Sequence, residues 1–175
     1  MLALALLGLL AAGPAVGLDP HGARAPGAPN RGLAVVPLSI TTSDGRVHRY
    51  RVEVAETPAQ QATGMMHRTE MARDTGMLFP LGRPRPAAFW MRNTLIPLDI
   101  VFIDADGRVA RIAARARPLS EDLIPSGGPV LAVLELKGGE AERIGLRPGD
   151  RVAWAPPRAR GPGARPDRAP ALGGP

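Results

Sequence analysis

No cysteine occurs among the 175 residues. That absence excludes disulfides, a thiol nucleophile, a thiolate metal site and a lipid-modified N-terminal Cys. It is compatible with an oxidising compartment without requiring one. Lysine is nearly missing too: the basic residues are 21 Arg and the single Lys137. With 21 Gly and 20 Pro, this usage fits a GC-rich genome and a chain rich in turns. Aromatics number six, so the core must be built mainly from Val, Leu, Ile, Ala and Met. No nucleophile elbow, phosphate loop, dinucleotide fingerprint or His-Glu metalloprotease motif is present. The three His residues, His21, His48 and His67, are scattered and make no ligand set.

The net charge of +6 suggests nucleic acid until it is located. Segments 18–32 and 156–175 carry +1 and +3, which leaves only +2 on residues 33–155. A nucleic-acid-binding domain shows a clustered basic face and a groove-reading motif. Neither is found, so no nucleic-acid partner is expected.

"LALALLGLLAA" (2–12) reads as the apolar region of an export signal. Gly13-Pro14 breaks it, and Ala15-Val16-Gly17 supplies small residues for cleavage. The terminal amine is its only positive charge. The run is too short and too interrupted for a comfortable membrane span. The expectation is a signal over 1–17, a Pro/Gly/Ala linker over 18–32, one domain over 33–155 and a disordered Pro/Arg/Gly-rich tail over 156–175. The mature protein is expected to be periplasmic or extracellular, monomeric, and without a membrane span once cleaved. A retained anchor is the alternative.

Within 33–155, short strand signals alternate with turn signals. "LAVVPLSI" (33–40) contains Pro37, which suits an edge strand. Asp44-Gly45 and Asp106-Gly107 are hairpin turns. In "RVHRYRVEVA" (46–55), His48, Tyr50, Val52 and Val54 share the parity expected to face inward. Thr57-Pro58-Ala59-Gln60 has the form of a capping box with Pro at the first helical position, which predicts a short helix. "GMLF" (76–79), "AAFWM" (87–91), "LDIVFID" (98–104), "RVARIAARA" (108–116), "VLAVLEL" (130–136) and "RVAWA" (151–155) read as further strands. "GGEAERIG" (138–145) is a second short helix or turn closed by Gly145. The sum is a mainly β domain: about seven or eight short strands in a compact, mostly antiparallel sandwich or barrel, with one or two short helices.

Four blocks carry a resemblance: "ETPAQQATGMMHR" (56–68), "DTGMLF" (74–79), "FWMRNTLIPLDIVFID" with Gly107 after it (89–107), and "VLELKGGEAERIGLRPGDRV" (133–152). In this order and spacing the chain resembles the domain-of-unknown-function 192 family, small and mostly prokaryotic proteins that are often exported. The resemblance implies a β-rich domain with small helices. It implies no activity and supplies no catalytic residue. Met65 stands where relatives usually have Leu. Many relatives carry a Cys near Arg115-Ala116-Arg117-Pro118, where this chain has none.

Three constellations carry chemistry. Asp99 and Glu135 each share strand parity with apolar neighbours, and a buried carboxylate must be paired or protonated. Arg68 and Arg92 are the natural partners. As a pair, Asp99 and Glu135 suit a hydrolase or lyase; singly, each would hold a loop through backbone N–H or Arg bonds. Met65, Met66, Met71, Met77 and Met91, with His67 among them, suit a soft copper site or irregular core filling. "FWMRNT" places Trp90, Arg92 and Asn93 as an aromatic wall and polar rim on the face opposite Phe89 and Met91. The leading expectation is a non-catalytic module without a cofactor. Its small polar ligand would meet Arg68, Trp90, Arg92, Asn93, Asp99 and Glu135.

Overall fold

A computed structural model describes residues 27–155. The signal-like segment 1–17, most of the expected linker and the tail 156–175 lie outside the described residues. The elements run β1 (Ala34–Thr41), β2 (Val47–Val54), α1 (Pro58–Thr63), β3 (Thr75–Phe89), β4 (Leu98–Ile103), β5 (Val109–Ala116), β6 (Ile124–Lys137), α2 (Glu140–Ile144) and β7 (Arg151–Trp154). All seven strands join one sheet in the order β5-β4-β6-β3-β2-β1-β7. Pairing is antiparallel except for β2 with β3, where α1 supplies the crossover a parallel pair needs.

The sheet curls until its outer strands meet. Arg108, just before β5, bridges to Arg151 of β7. Val109 N–H donates to the Asp150 carbonyl and Val152 N–H to that of Gly107, each at 2.8 Å. The mainly β, barrel-like expectation is therefore met by a single curled sheet.

Local rules explain the elements that formed as read. Tyr50, Val52 and Val54 are buried on one face of β2. Thr57 caps α1, with its side chain accepting from Gln60 N–H and the Gln60 side chain accepting from the Thr57 backbone. Gly145 ends α2 in the left-handed region at φ 69°, which a residue without Cβ reaches at no steric cost.

Non-local pairing explains the differences. "GMLF" and "AAFWM" are not two strands; β3 runs unbroken from Thr75 to Phe89 against β6, which itself extends beyond the expected 130–136 to Ile124–Lys137. Register shifts between Pro80 and Arg85, and again before Ala88, accommodate three prolines that cannot donate to the ladder. The strand ends at Phe89, so Trp90 to Asn93 belong to a loop. β1 is no edge strand, yet Pro37 lies just outside the residues, Leu38–Thr41, that pair with β7. Residues 27–32, read as linker, include the buried Asn30. Its amide donates to the carbonyls of Gln60 (2.9 Å) and Gly64 (3.0 Å), satisfying acceptors the end of α1 leaves open.

Both faces of β4 are covered, and all six of its residues are buried. Val101 and Ile103 join one cluster with Tyr50, Val52, Leu134 and Leu136. Leu98, Ile100 and Phe102 join a second with Met65, Met77, Phe79 and Met91. Each such fully buried side chain contributes about 1.5–3 kcal/mol. The segment after α1 roofs the second cluster, and this roof positions the site.

Candidate functional site

Between α1 with its following turn and the outer half of β3 lies an open cleft of about 350 Å³. One wall is Gln61 to Met66. The other is Phe79, Leu81 and Phe89, with Trp90 and Leu123 at the rim. Phe79 and Phe89 meet edge to face at 5.1 Å, which fixes the aromatic wall. Trp90 and Leu123, 41% and 67% exposed, set apolar surface at the mouth of the cleft.

Glu135 lines this cleft from β6 and is 4% exposed. Its Oε2 is buried without a hydrogen-bond partner. Cross-strand neighbours Met77 and Ile100 are apolar. Burial pushes its carboxyl up to about 8, against the weaker pull of Arg68. Arg68 does not bind it. The guanidinium is committed to Glu53 at 2.5 Å and to the Asn30 carbonyl at 3.0 Å.

Asp99 has a different fate. Its carboxylate accepts backbone N–H from Arg115 (2.7 Å), Gly139 (3.0 Å) and Ala141 (2.7 Å). It thereby anchors α2 and the irregular end of β5 to β4. In the β4–β6 register Asp99 faces Leu136, while Glu135 faces Ile100, one position out of phase. The two carboxyls therefore point to opposite faces of the sheet. The alternative of an acid–base pair therefore lacks its geometry: strand parity placed both acids inward, but only the register distinguishes one interior face from the other.

The remaining candidates do not converge either. Arg92 is exposed, stacks over Trp90 at 5.6 Å and pairs with Glu121 at 3.7 Å. Asn93 adopts φ 55°, and its carbonyl accepts from His67 N–H at 2.9 Å, so it shapes the loop. Of the six expected site residues, Trp90 and Glu135 line the cleft, while Arg68 lines a second, more charged hollow beside Glu53 and Glu70. Met65, Met71, Met77 and Met91 are buried members of the second core cluster, and core filling accounts for their place. Among the described residues no group of three or more His, Asp or Glu could hold a metal ion. Phe79, Phe89 and Leu123 were missed as site residues. The first two read as ordinary strand apolars, and nothing local marks Leu123.

The family described as DUF192, Uncharacterized ACR, matches residues 39–154. The chain belongs to this family. Two solved structures are similar to it along most of their length. One is a protein of unknown function from Novosphingobium aromaticivorans, 47% identical, covering 79% of this chain and 99% of its own, with a TM-score of 0.69. The other is a proposed transcription regulator from Sinorhizobium meliloti, 43% identical, covering 71% of this chain and 97% of its own, with a TM-score of 0.70. No curated protein matches. The matched DUF192 region holds all of the sheet except residues 34–38 of β1, holds every residue of the cleft, and its description names no activity.

Proposed function

We propose that this DUF192 protein is an exported binding module, without catalysis of its own, whose ligand occupies the cleft above Glu135. One observation carries the reading. A buried carboxyl with an unpaired oxygen lines an opening walled by aromatic and thioether groups. A folded protein rarely leaves such a group unsatisfied unless something else binds it. The chemistry differs from a sugar-like site: one polar point is set in apolar walls. The separation of Asp99 from Glu135 removes the support for a hydrolase.

The export half of the proposal rests on residues 2–17. Among the described residues no helix is long and apolar enough to cross a membrane. The regulator description of the S. meliloti relative gains no support from this chain's chemistry, since among the described residues the helices, of six and five residues, offer no groove-reading element.

The test is a panel of small aromatic and aliphatic compounds screened by chemical-shift perturbation and thermal shift. Saturable binding should perturb Trp90, Leu123 and Met66, and Ala62→Trp, which fills the cleft from α1, should abolish it. Binding that ignores Ala62→Trp places the site elsewhere. Amino-terminal sequencing of the secreted protein checks export, and an intact Met1 in the membrane fraction counts against cleavage.

A further inference from the structure

The cleft's amide and hydroxyl donors are already spent, and Arg85 is the one charged donor in its lining. Gln61 spends its amide N–H groups on the carbonyls of Ala55 (3.1 Å) and Pro80 (2.9 Å). Thr63 donates to the Ala59 carbonyl at 3.1 Å and Thr94 to that of Arg92 at 3.3 Å. The side-chain amide and hydroxyl donors of the lining are thus used within the protein. What remains buried and unpaired in the lining is an acceptor, Glu135 Oε2. A ligand must therefore bring the donor.

The walls favour a donor that is charged. Phe89 and Trp90 present ring surface, backed by the buried Phe79 and Met65 and the half-buried Met66. Trp90 already attracts a cation, the Arg92 guanidinium at 5.6 Å from its ring. The charged groups around Glu135 leave that role open. Arg68, from the segment after α1, is held by Glu53 and Asn30. Arg85 lines the cleft from the exposed outer half of β3, where water screens it. Met77 of β3 and Ile100 of β4 flank Glu135 with no charge, and α1 contributes only the neutral Gln61, Ala62 and Thr63.

Resting on the binding reading above, the geometry points to a specific ligand class: an organic ammonium with an aromatic or aliphatic body, its N–H donating to the Glu135 carboxyl and its body packed against Phe89 and Trp90. Binding is coupled to a proton. The free site holds a neutral carboxyl at pH 7, and the ammonium stays charged up to about pH 10. Carboxylic acid plus ammonium gives a carboxylate–ammonium ion pair, and one proton passes to solvent. The carboxylate is formed only where a cation arrives to compensate it.

Calorimetry on the full chain tests this with three matched probes, phenethylammonium, phenethyl alcohol and phenylacetate, from pH 6 to 9. The expected result is binding of the ammonium in preference to both others, tightening about tenfold per pH unit up to pH 8 and levelling above. Buffers of different ionisation heat should show release of close to one proton at pH 6. Glu135→Gln should remove both the preference and the pH dependence, and Trp90→Ala, at an exposed position, should weaken binding several-fold. Equal or tighter binding of the alcohol or the carboxylate, or a flat pH profile, overturns the cation assignment and leaves the cleft as a site. Binding by none of the three overturns the assignment and counts against the cleft as well. Should Glu135→Gln fail to fold, the wild-type pH profile and the three-probe ranking decide.

Discussion

Replacing Glu135 by Gln should change how stability depends on pH. The folded protein keeps the Glu135 proton until about pH 8, whereas an ordinary glutamate loses it at 4.5. Between those values the folded state binds more protons than the unfolded state, so stability falls as pH rises. Below pH 4.5 both states hold the proton and above pH 8 both have lost it, so the contribution is flat outside the window. Each pH unit inside it is worth about 1.4 kcal/mol. From pH 5 to pH 7.5 the loss is about 3 kcal/mol, enough to lower Tm by roughly 10 °C in a domain of this size. Gln has a similar shape and no titration, so its own burial cost is a constant offset. Glu140 titrates in the opposite sense. Burial acts to raise its carboxyl, but hydrogen bonds from Arg143 and Tyr50 outweigh that and hold it below the ordinary value. It is common to both proteins and cancels in the difference. Urea unfolding followed by tryptophan fluorescence at half-unit pH steps gives the two curves. If they run parallel from pH 5 to 8, Glu135 is not titrating as its burial requires, and the argument for a proton-coupled site fails with it.

Other perturbations probe the frame. Asp99→Ala strands three buried backbone donors and should cost about 3 kcal/mol or more, read from the urea midpoint; a cost under 1 kcal/mol would contradict its anchoring role. Gly138→Ala places a Cβ 2.8 Å from Pro97 Cβ and 2.9 Å from its carbonyl, where the backbone cannot yield cheaply, and should destabilise by about 1–3 kcal/mol. Tyr50→Phe removes the 2.8 Å hydrogen bond to Glu140 and should cost about 1–2 kcal/mol, with the loss shrinking in acid as Glu140 takes up its proton.

What the sequence disclosed was local. The Asp44-Gly45 and Asp106-Gly107 turns, the Thr57–Gln60 capping box and the inward set of β2 each depend on a few adjacent residues, and each formed as read. What it concealed was pairing. Pro80, Pro84 and Pro86 look like strand breakers, and only the bulged partnership with β6 makes one strand of them. Asp99 and Glu135 looked alike because parity marks a residue as inward without saying which of two interiors it enters. Trp90 and Glu135 are both cleft residues, yet they come from segments 45 positions apart, and α1 completes the wall from a third. The cleft exists only in the assembled register.

The first strand of the sheet lies against the last. β1 is paired along Leu38–Thr41 by β7, which ends at Trp154, and β7 also supplies the touch to β5. The fold thus has a built-in completion signal. Until residues 151–154 have left the ribosome, β1 presents an open hydrogen-bonding edge, the kind that recruits other strands, and β5 lacks its bridge to β7. A four-residue element thus guards solubility as well as adding Val152 to the core. Truncations that stop before Arg151 should yield chains that remain largely β-structured yet associate, rather than chains that simply unfold.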